Sequence, residues 1–244
     1  MDTLNILLVN DDGIDAPGLL VLAEAAARFG RVWIVAPATQ CSGMSQQITI
    51  REDMPIVSRS LPVDAEEAWS LGGTPADCVK AAVSGLLPVK PDLLFSGINN
   101  GYNAGLDVAY SGTIGAALEG LSKGIPALAF SAASDKDLRL AEKALPALIT
   151  ELLAMPIEPH ALWNVNFPAC PPEACKGILR RRKLAPTQAY LDSYRYDAHP
   201  DGTIRMRLTG RPVPAELAPE GTDIHALYND YISIGKVYST VLAS

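Results

Sequence analysis

Histidine is scarce in this chain. His160, His199 and His225 are the only three in 244 residues, and they stand far apart. A metal centre built from several imidazoles is hard to assemble from them. The four cysteines, Cys41, Cys78, Cys170 and Cys175, form no C-x-x-C pair and precede no histidine at zinc-finger spacing. They read as reduced, structural thiols. Cys175 and Arg181 have the Cys-x5-Arg spacing of cysteine phosphatases, but no histidine precedes Cys175 and Gly177-Ile178-Leu179 is not a phosphate-cradling loop. Neither the GxxxxGK[ST] phosphate loop nor the GxSxG nucleophile elbow occurs, and the GxGxxG fingerprint is also missing. These gaps remove the first two motif classes and weaken a dinucleotide reading. No apolar run approaches the roughly 20 residues that span a bilayer. No positively charged start leads into a long apolar stretch, so no signal peptide is expected. Positive charge is not in excess either: 20 Lys and Arg stand against 27 Asp and Glu, a formal net charge of −7. That balance argues against a general nucleic-acid or membrane-surface binder. The chain reads as cytoplasmic.

What is present is an alternation of apolar strands and helices. Leu4–Val9 is a strand, Pro17–Phe29 a helix with Gly30 just past its end, and Val32–Ala36 a second strand closed by Pro37. Gln47–Arg51, Pro55–Arg59 and Ala68–Leu71 look like short strands, in hairpins beside the main sheet. Thr74–Leu87 has helical periodicity, Asp92–Phe95 is a third apolar run, Ile114–Ser122 a helix and Ala127–Phe130 a fourth run. Lys136–Met155 is a longer helix that Pro146 should interrupt or bend, and Trp163–Phe167 is a fifth strand. Alternation of this kind predicts an α/β fold with a mostly parallel sheet covered by helices on both faces. After Pro168 proline is denser and Ile204–Leu208 alternates strictly, so residues 169–244 read as a β-rich extension of hairpins and arms on a core of residues 1–168. The whole is taken as one domain.

In open parallel sheets, ligands bind beyond the carboxyl ends of the strands. Three such ends carry oxygen ligands and glycines here: Asn10-Asp11-Asp12-Gly13, the Pro37–Ser45 segment with Ser42-Gly43, and Ser96-Gly97-Ile98-Asn99-Asn100-Gly101 followed by Asn103. Turn chemistry and helix capping account for one aspartate at most. Two adjacent carboxylates in a low-dielectric setting raise each other's pKa unless a cation neutralises them. Carboxylate, hydroxyl and amide oxygens are hard ligands, suited to Mg²⁺ or Mn²⁺. A second cluster, Tyr110-Ser111-Gly112-Thr113-Ile114-Gly115, opens a helix after a glycine-containing loop. Its N–H and hydroxyl groups can bind an anion or simply cap the helix. For Gly72-Gly73-Thr74-Pro75-Ala76-Asp77 the capping explanation is sufficient.

The blocks NDDGIDAPG, APATQCSGMS, GGTPADCV, SGINNGYNAGLDVAYSGTIGAALEG and GTDIHALYNDYISI, in that order, resemble the SurE family of survival-protein nucleotidases. The resemblance implies a Rossmann-like core, and a C-terminal arm exchanged in a homodimer or homotetramer. It also implies a phosphatase needing one divalent cation per subunit. The substrates implied are nucleoside 5′- and 3′-monophosphates, with short polyphosphate in some members. Carried over by motif, the metal ligands are Asp11, Asp12, Ser42 and Asn99. Asn103, Ser111, Gly112 and Thr113 then surround the phosphate, and Asp11, Asp12 and Asn103 are the catalytic set. A different class, a non-enzymatic Mg²⁺-binding receiver domain, also places an acidic pair after its first strand. It needs an aspartate at the end of the third, where this chain has Leu94-Phe95-Ser96-Gly97.

Overall fold

The computed structural model describes residues 3–134 and 137–242. Its centre is a nine-stranded sheet. The first strand, β1 (Leu4–Val9), is flanked by β2 (Gly30–Pro37) and β5 (Leu93–Asn100), both parallel to it. Beyond β2 lie β4 (Glu67–Leu71), parallel, and the antiparallel edge strand β3 (Ile56–Arg59). Beyond β5 come β6 (Ala127–Ala132) and β7 (Ala161–Phe167), also parallel. The last strand of the chain, β13 (Ile232–Tyr238), runs antiparallel to β7, and β8 (Ile178–Arg182) lies parallel to β13 at the far edge.

Helices cover both faces, as the alternation predicts. On one side α1 (Pro17–Ala26) and α4 (Arg139–Leu153) bury Leu19, Leu22, Leu145, Leu148 and Leu152 against Ile6, Leu8, Ile34 and Phe95. On the other, α2 (Pro75–Ala81) and α3 (Gly112–Ser122) pack Val79, Ile114 and Ala117 onto Leu7, Val9, Val35 and Leu94. Alternate residues of β1 therefore feed opposite cores. That is why a strand buried on both faces reads as an unbroken apolar run.

Several expectations are corrected. Gly30 does not close a helix. It is the first residue of β2, where a Cβ would lie 2.3 Å from the Leu4 carbonyl oxygen. Gln47–Arg51 forms no strand; the Thr49 N–H and hydroxyl donate to the Asp77 carboxylate instead. Residues 56–59 and 67–71 do pair antiparallel as expected, and the pair is joined to the main sheet through β2. Pro146 does not interrupt α4, because the apolar face of Leu145, Leu148, Ile149 and Leu152 is buried throughout and Pro146 lies at the outer side. Lys136, the expected start of that helix, lies outside the described residues. The third apolar run continues as β5 through Asn100, its register with β6 shifting between Ser96 and Asn99. Gly97, at φ +133°, makes that shift feasible: a Cβ there would sit 2.2 Å from the Phe130 carbonyl oxygen.

Past Pro168 the chain divides. Part of it joins the sheet as β8 and β13. The short helix α5 (Asp223–Tyr228) packs Ile224 and Leu227 beside Ala104, Ala185 and Ala189. The remainder forms two small ribbons: β9 (Tyr190–Leu191), half-buried, pairs with β12 (Arg211–Pro212), and the exposed strands β10 (Tyr194–Ala198) and β11 (Ile204–Leu208) pair with each other. All four cysteines are free thiols. No helix among the described residues is long and apolar enough to cross a membrane.

Candidate active site

The carboxyl ends of β1, β2 and β5 meet because β1 lies between the other two. The chain leaves β1 through Asn10, whose buried amide exchanges hydrogen bonds with the backbone of Gly13, Nδ2 to its carbonyl at 2.8 Å. This tight turn puts Asp11 and Asp12 at the sheet edge. Asp11 is buried and accepts a 2.6 Å hydrogen bond from the Thr113 hydroxyl. Its carbonyl accepts the Cys41 N–H at 2.7 Å, tying down the loop after β2 that carries Ser42. Asp12 is half-buried and accepts the Asn100 N–H at 2.8 Å. The Asn99 amide donates to the Gly101 carbonyl at 2.8 Å, which leaves its oxygen for a ligand.

From the other side comes the N-terminus of α3. Ser111 caps it, accepting the Ile114 N–H at 3.1 Å. Gly112 lets this end approach, since a Cβ there would lie 2.9 Å from the Asp11 Cβ and 3.0 Å from its Oδ2. Asn103 is held from behind. Its N–H donates to Asn166 Oδ1 at 2.9 Å, and its carbonyl accepts from the amides of Asn164 and Asn166 at 2.8 and 3.0 Å. The Asn103 side chain donates to Ser131 Oγ at 2.8 Å.

These elements enclose an open cleft of about 210 Å³ lined by Asp11, Ser42, Gly43, Asn99, Asn100, Asn103, Asp107, Tyr110 and Ser111. The residues picked out by sequence converge there in large part. Asp12, Gly112 and Thr113 do not line it. Asp12 faces a neighbouring cavity, Thr113 spends its hydroxyl on Asp11, and Gly112 is the contact that seats the helix. Sequence reasoning missed Asp107 and Tyr110 as lining residues, although both lie inside the long block from Ser96 to Gly120. Asp107 also anchors the C-terminal segment, accepting the Ala189 N–H at 2.8 Å.

Burial pushes the Asp11 carboxyl up to about 6; the Thr113 hydrogen bond opposes this and the Asp12 charge adds to it. Burial also raises Asp12, against the Asn100 N–H. Among the described residues neither carboxylate has a Lys, Arg or His partner. Nor do three His, Cys, Asp or Glu side chains gather anywhere among them to hold a metal. A cation here would therefore take amide and hydroxyl oxygens beside two uncompensated carboxylates. That hard, oxygen-only donor set fits Mg²⁺ or Mn²⁺.

Fold and cleft together define an α/β protein with an oxygen-rich site at the carboxyl edge of its sheet, faced by a helix N-terminus. The family model described as Survival protein SurE matches residues 6–188. The chain belongs to the SurE family. Among curated proteins it is 38% identical over 237 residues to the 5′-nucleotidase SurE of Synechococcus sp. (strain JA-3-3Ab), covering 95% of this chain and 90% of that one. It is 37% identical over 243 residues to the 5′-nucleotidase SurE of Trichormus variabilis, covering 95% and 91%. Among solved structures it resembles the SurE protein from Aquifex aeolicus with a TM-score of 0.79, at 35% identity and covering 96% and 93% of the two chains.

Proposed function

We propose that this chain is a hydrolase of the 5′-nucleotidase type, releasing phosphate from nucleoside 5′-monophosphates. Nucleoside 3′-monophosphates and short polyphosphate are further proposed substrates. The observation that carries the reading is the uncompensated pair of buried Asp11 and half-buried Asp12 beside the N-terminus of α3. It occurs in a chain that matches 5′-nucleotidase relatives over 95% of its length.

Asp11, Asp12, Ser42 and Asn99 would hold one divalent cation, which supplies charge neutralisation at the phosphoryl oxygens and acidifies water. The protein's own groups do the rest. Ser111 donates its hydroxyl hydrogen to a phosphoryl oxygen while its lone pair keeps the helix cap. The first-turn N–H of Gly112 points out of the helix toward negative charge, and that of Thr113 is turned to the Asp11 carboxylate at the same helix end. Asn103 offers the second N–H of its amide, and the clamp from Asn164 and Asn166 fixes where it sits. Such preset donors favour the charge that develops during phosphoryl transfer. Asp12, with one oxygen tied to the Asn100 N–H, orients the attacking water through the other.

The 190–212 segment is proposed as the arm of a homodimer or homotetramer. The pairing of Tyr194 with Leu208, Tyr196 with Met206 and Ala198 with Ile204 gathers apolar side chains on one hairpin face. The tyrosines, Ile204, Met206 and Leu208 are all exposed. Light scattering on the full chain tests this, with Tyr196→Glu/Met206→Glu expected to yield a smaller species. The activity is tested by stripping the protein of metal and screening nucleoside monophosphates, p-nitrophenyl phosphate and polyphosphate with Mg²⁺, Mn²⁺ and Co²⁺ singly. Phosphate release from nucleotides, lost in Asp12→Asn, is expected. No release in any combination overturns the reading.

A further inference from the structure

Glu119 stands in the third turn of α3, and its side chain is buried. A buried carboxylate needs partners, and this one divides its oxygens between two kinds. Oε1 faces Lys123 Nζ at 3.4 Å, one turn along the same helix, and Lys80 Nζ of α2 at 3.8 Å. Both lysine side chains are partly exposed, so these pairs alone make an ordinary helix-face cluster. Oε2 does something else. It accepts a hydrogen bond from Gln46 Nε2 at 2.8 Å, across 73 residues of sequence. Gln46 belongs to the loop after β2 that carries Ser42.

That loop is laid along α3 by two glycines. Gly112, Gly115 and Glu119 share one helix face, at successive spacings of three and four residues. A Cβ at Gly112 would lie 3.2 Å from the Cys41 carbonyl oxygen, and one at Gly115 would lie 1.9 Å from that of Ser45. Ser42 sits between these two contacts. On one side of it the Cys41 N–H donates to the Asp11 carbonyl. On the other, the Ser45 N–H donates to the Tyr110 carbonyl at 2.9 Å, and the Ser45 hydroxyl to that of Ala109 at 2.8 Å. Ser45 does so at a φ of +51°, in the left-handed region that disfavours a residue with a Cβ. Such a conformation persists where its surroundings hold it. The next residue, Gln46, makes the contact to Glu119.

We propose that Glu119 is a positioning residue: through Gln46 it latches the loop onto α3 and fixes where Ser42 stands in the cleft beside Asp11. The inference rests on the nucleotidase reading in taking Ser42 as a cation ligand. Neither Glu119 nor Gln46 lines the cleft, so the effect reaches it through the loop backbone. One helix then serves both halves of the site. Its N-terminus faces the phosphate, and its third turn sets a cation ligand. A role limited to stabilising α3 would be carried by the lysine pairs and would leave the loop indifferent to Gln46.

The experiment uses the full chain. Amide exchange is followed by mass spectrometry over residues 41–47 and over α3 in metal-free protein, and Mn²⁺ binding is measured by calorimetry. Gln46→Met keeps the length of the side chain and loses the N–H donor. Gln46→Glu sets a second carboxylate against Glu119. Each should speed exchange at the Ser45 amide and weaken Mn²⁺ binding about tenfold, the scale of one hydrogen bond to a charged group, with exchange in α3 unchanged. At saturating Mn²⁺, kcat for AMP should stay within about twofold, because the lost interaction acts on cation binding. Adding Glu119→Gln to Gln46→Glu restores an amide–carboxylate contact with the partners exchanged, and should return Mn²⁺ affinity to within about threefold of the parent. Unchanged exchange at 41–47 in both single variants overturns the inference. So does faster exchange in α3 instead of the loop, unaltered Mn²⁺ affinity beside a loosened loop, or no recovery in a folded double variant. If the unmodified protein neither binds Mn²⁺ nor releases phosphate, the nucleotidase reading fails instead, and exchange at the loop still decides whether Glu119 holds it.

Discussion

Replacing Asp11 by Asn should make the metal-free protein more stable while removing its activity. In the folded chain burial, reinforced by the Asp12 charge, moves the Asp11 carboxyl from 3.8 to about 6. A carboxyl raised on folding binds its proton more tightly in the native state. Its contribution is fully favourable below 3.8, where both states are protonated, and is lost as pH rises through 6. At about 1.4 kcal/mol per pH unit, the ionised form costs the metal-free fold roughly 3 kcal/mol at pH 8 and about 1 kcal/mol at pH 4.5. Asn removes that charge but keeps an oxygen to accept the Thr113 hydroxyl, so the packing around Gly112 is undisturbed. For a chain of 244 residues each kcal/mol is worth about 2–4 °C in Tm, so the variant should melt roughly 6–12 °C higher in chelator at pH 8. The gain should shrink at pH 4.5. Adding Mg²⁺ or Mn²⁺ should reverse the order, because ligand binding stabilises only the protein that binds it. Melting curves of both proteins at the two pH values, with chelator or with cation, provide the test. A variant less stable than its parent in chelator at pH 8, or a gain that does not vary with pH, would refute the reasoning.

Other perturbations probe the supports of the site. Asn166→Leu leaves the Asn103 N–H buried without its acceptor and should cost about 2–4 kcal/mol in denaturant unfolding. Gly112→Ala forces a Cβ to within 3.0 Å of Asp11. It should lower kcat/KM on any phosphomonoester about tenfold or more by shifting the helix end, a loss steady-state kinetics will show. Thr74→Ala removes the cap of α2, whose hydroxyl accepts the Asp77 N–H at 3.2 Å, and should cost about 1 kcal/mol with kcat unaltered.

Much of the fold can be read from the chain because both faces of the sheet are covered. Ile6–Val9, Val32–Ala36 and Ala127–Phe130 are continuous apolar runs, and such runs between amphipathic stretches have few alternatives. Strand order is harder. The sheet places β1 between β2 and β5 and inserts β13, from the far end of the chain, between β7 and β8. No local periodicity encodes that order. The misreadings are also physical. Gln47–Arg51 alternates like a strand, but the Asp77 carboxylate takes the Thr49 N–H and hydroxyl that a ladder would need. Pro146 breaks a local rule, and the buried leucine face of α4 overrides it.

For the site, residue types were more legible than their roles. Asp11, Ser42 and Asn99 carry oxygen donors at strand ends, and the topology brings those ends together. The polar run from Ser96 to Asn100 looks like a loop yet belongs to β5, because a register shift at Gly97 lets a strand end present its amides sideways. Thr113 reads from sequence as a group facing the phosphate, and in the structure its hydroxyl donates to Asp11. The C-terminal segment looks like an appendage, but two carboxylates bind it to the site loop. Asp107 accepts the Ala189 N–H, and Asp223 accepts both the Gly105 N–H at 2.8 Å and the Ala185 N–H at 2.9 Å. Asn103 lies just before Gly105 in that loop, so its position depends on β7 through Asn166 and on the C-terminal segment through Asp223. A change in how that segment packs is therefore expected to register at the cleft, across 82 residues of sequence through Asp107 and 118 through Asp223, without altering any of its lining side chains.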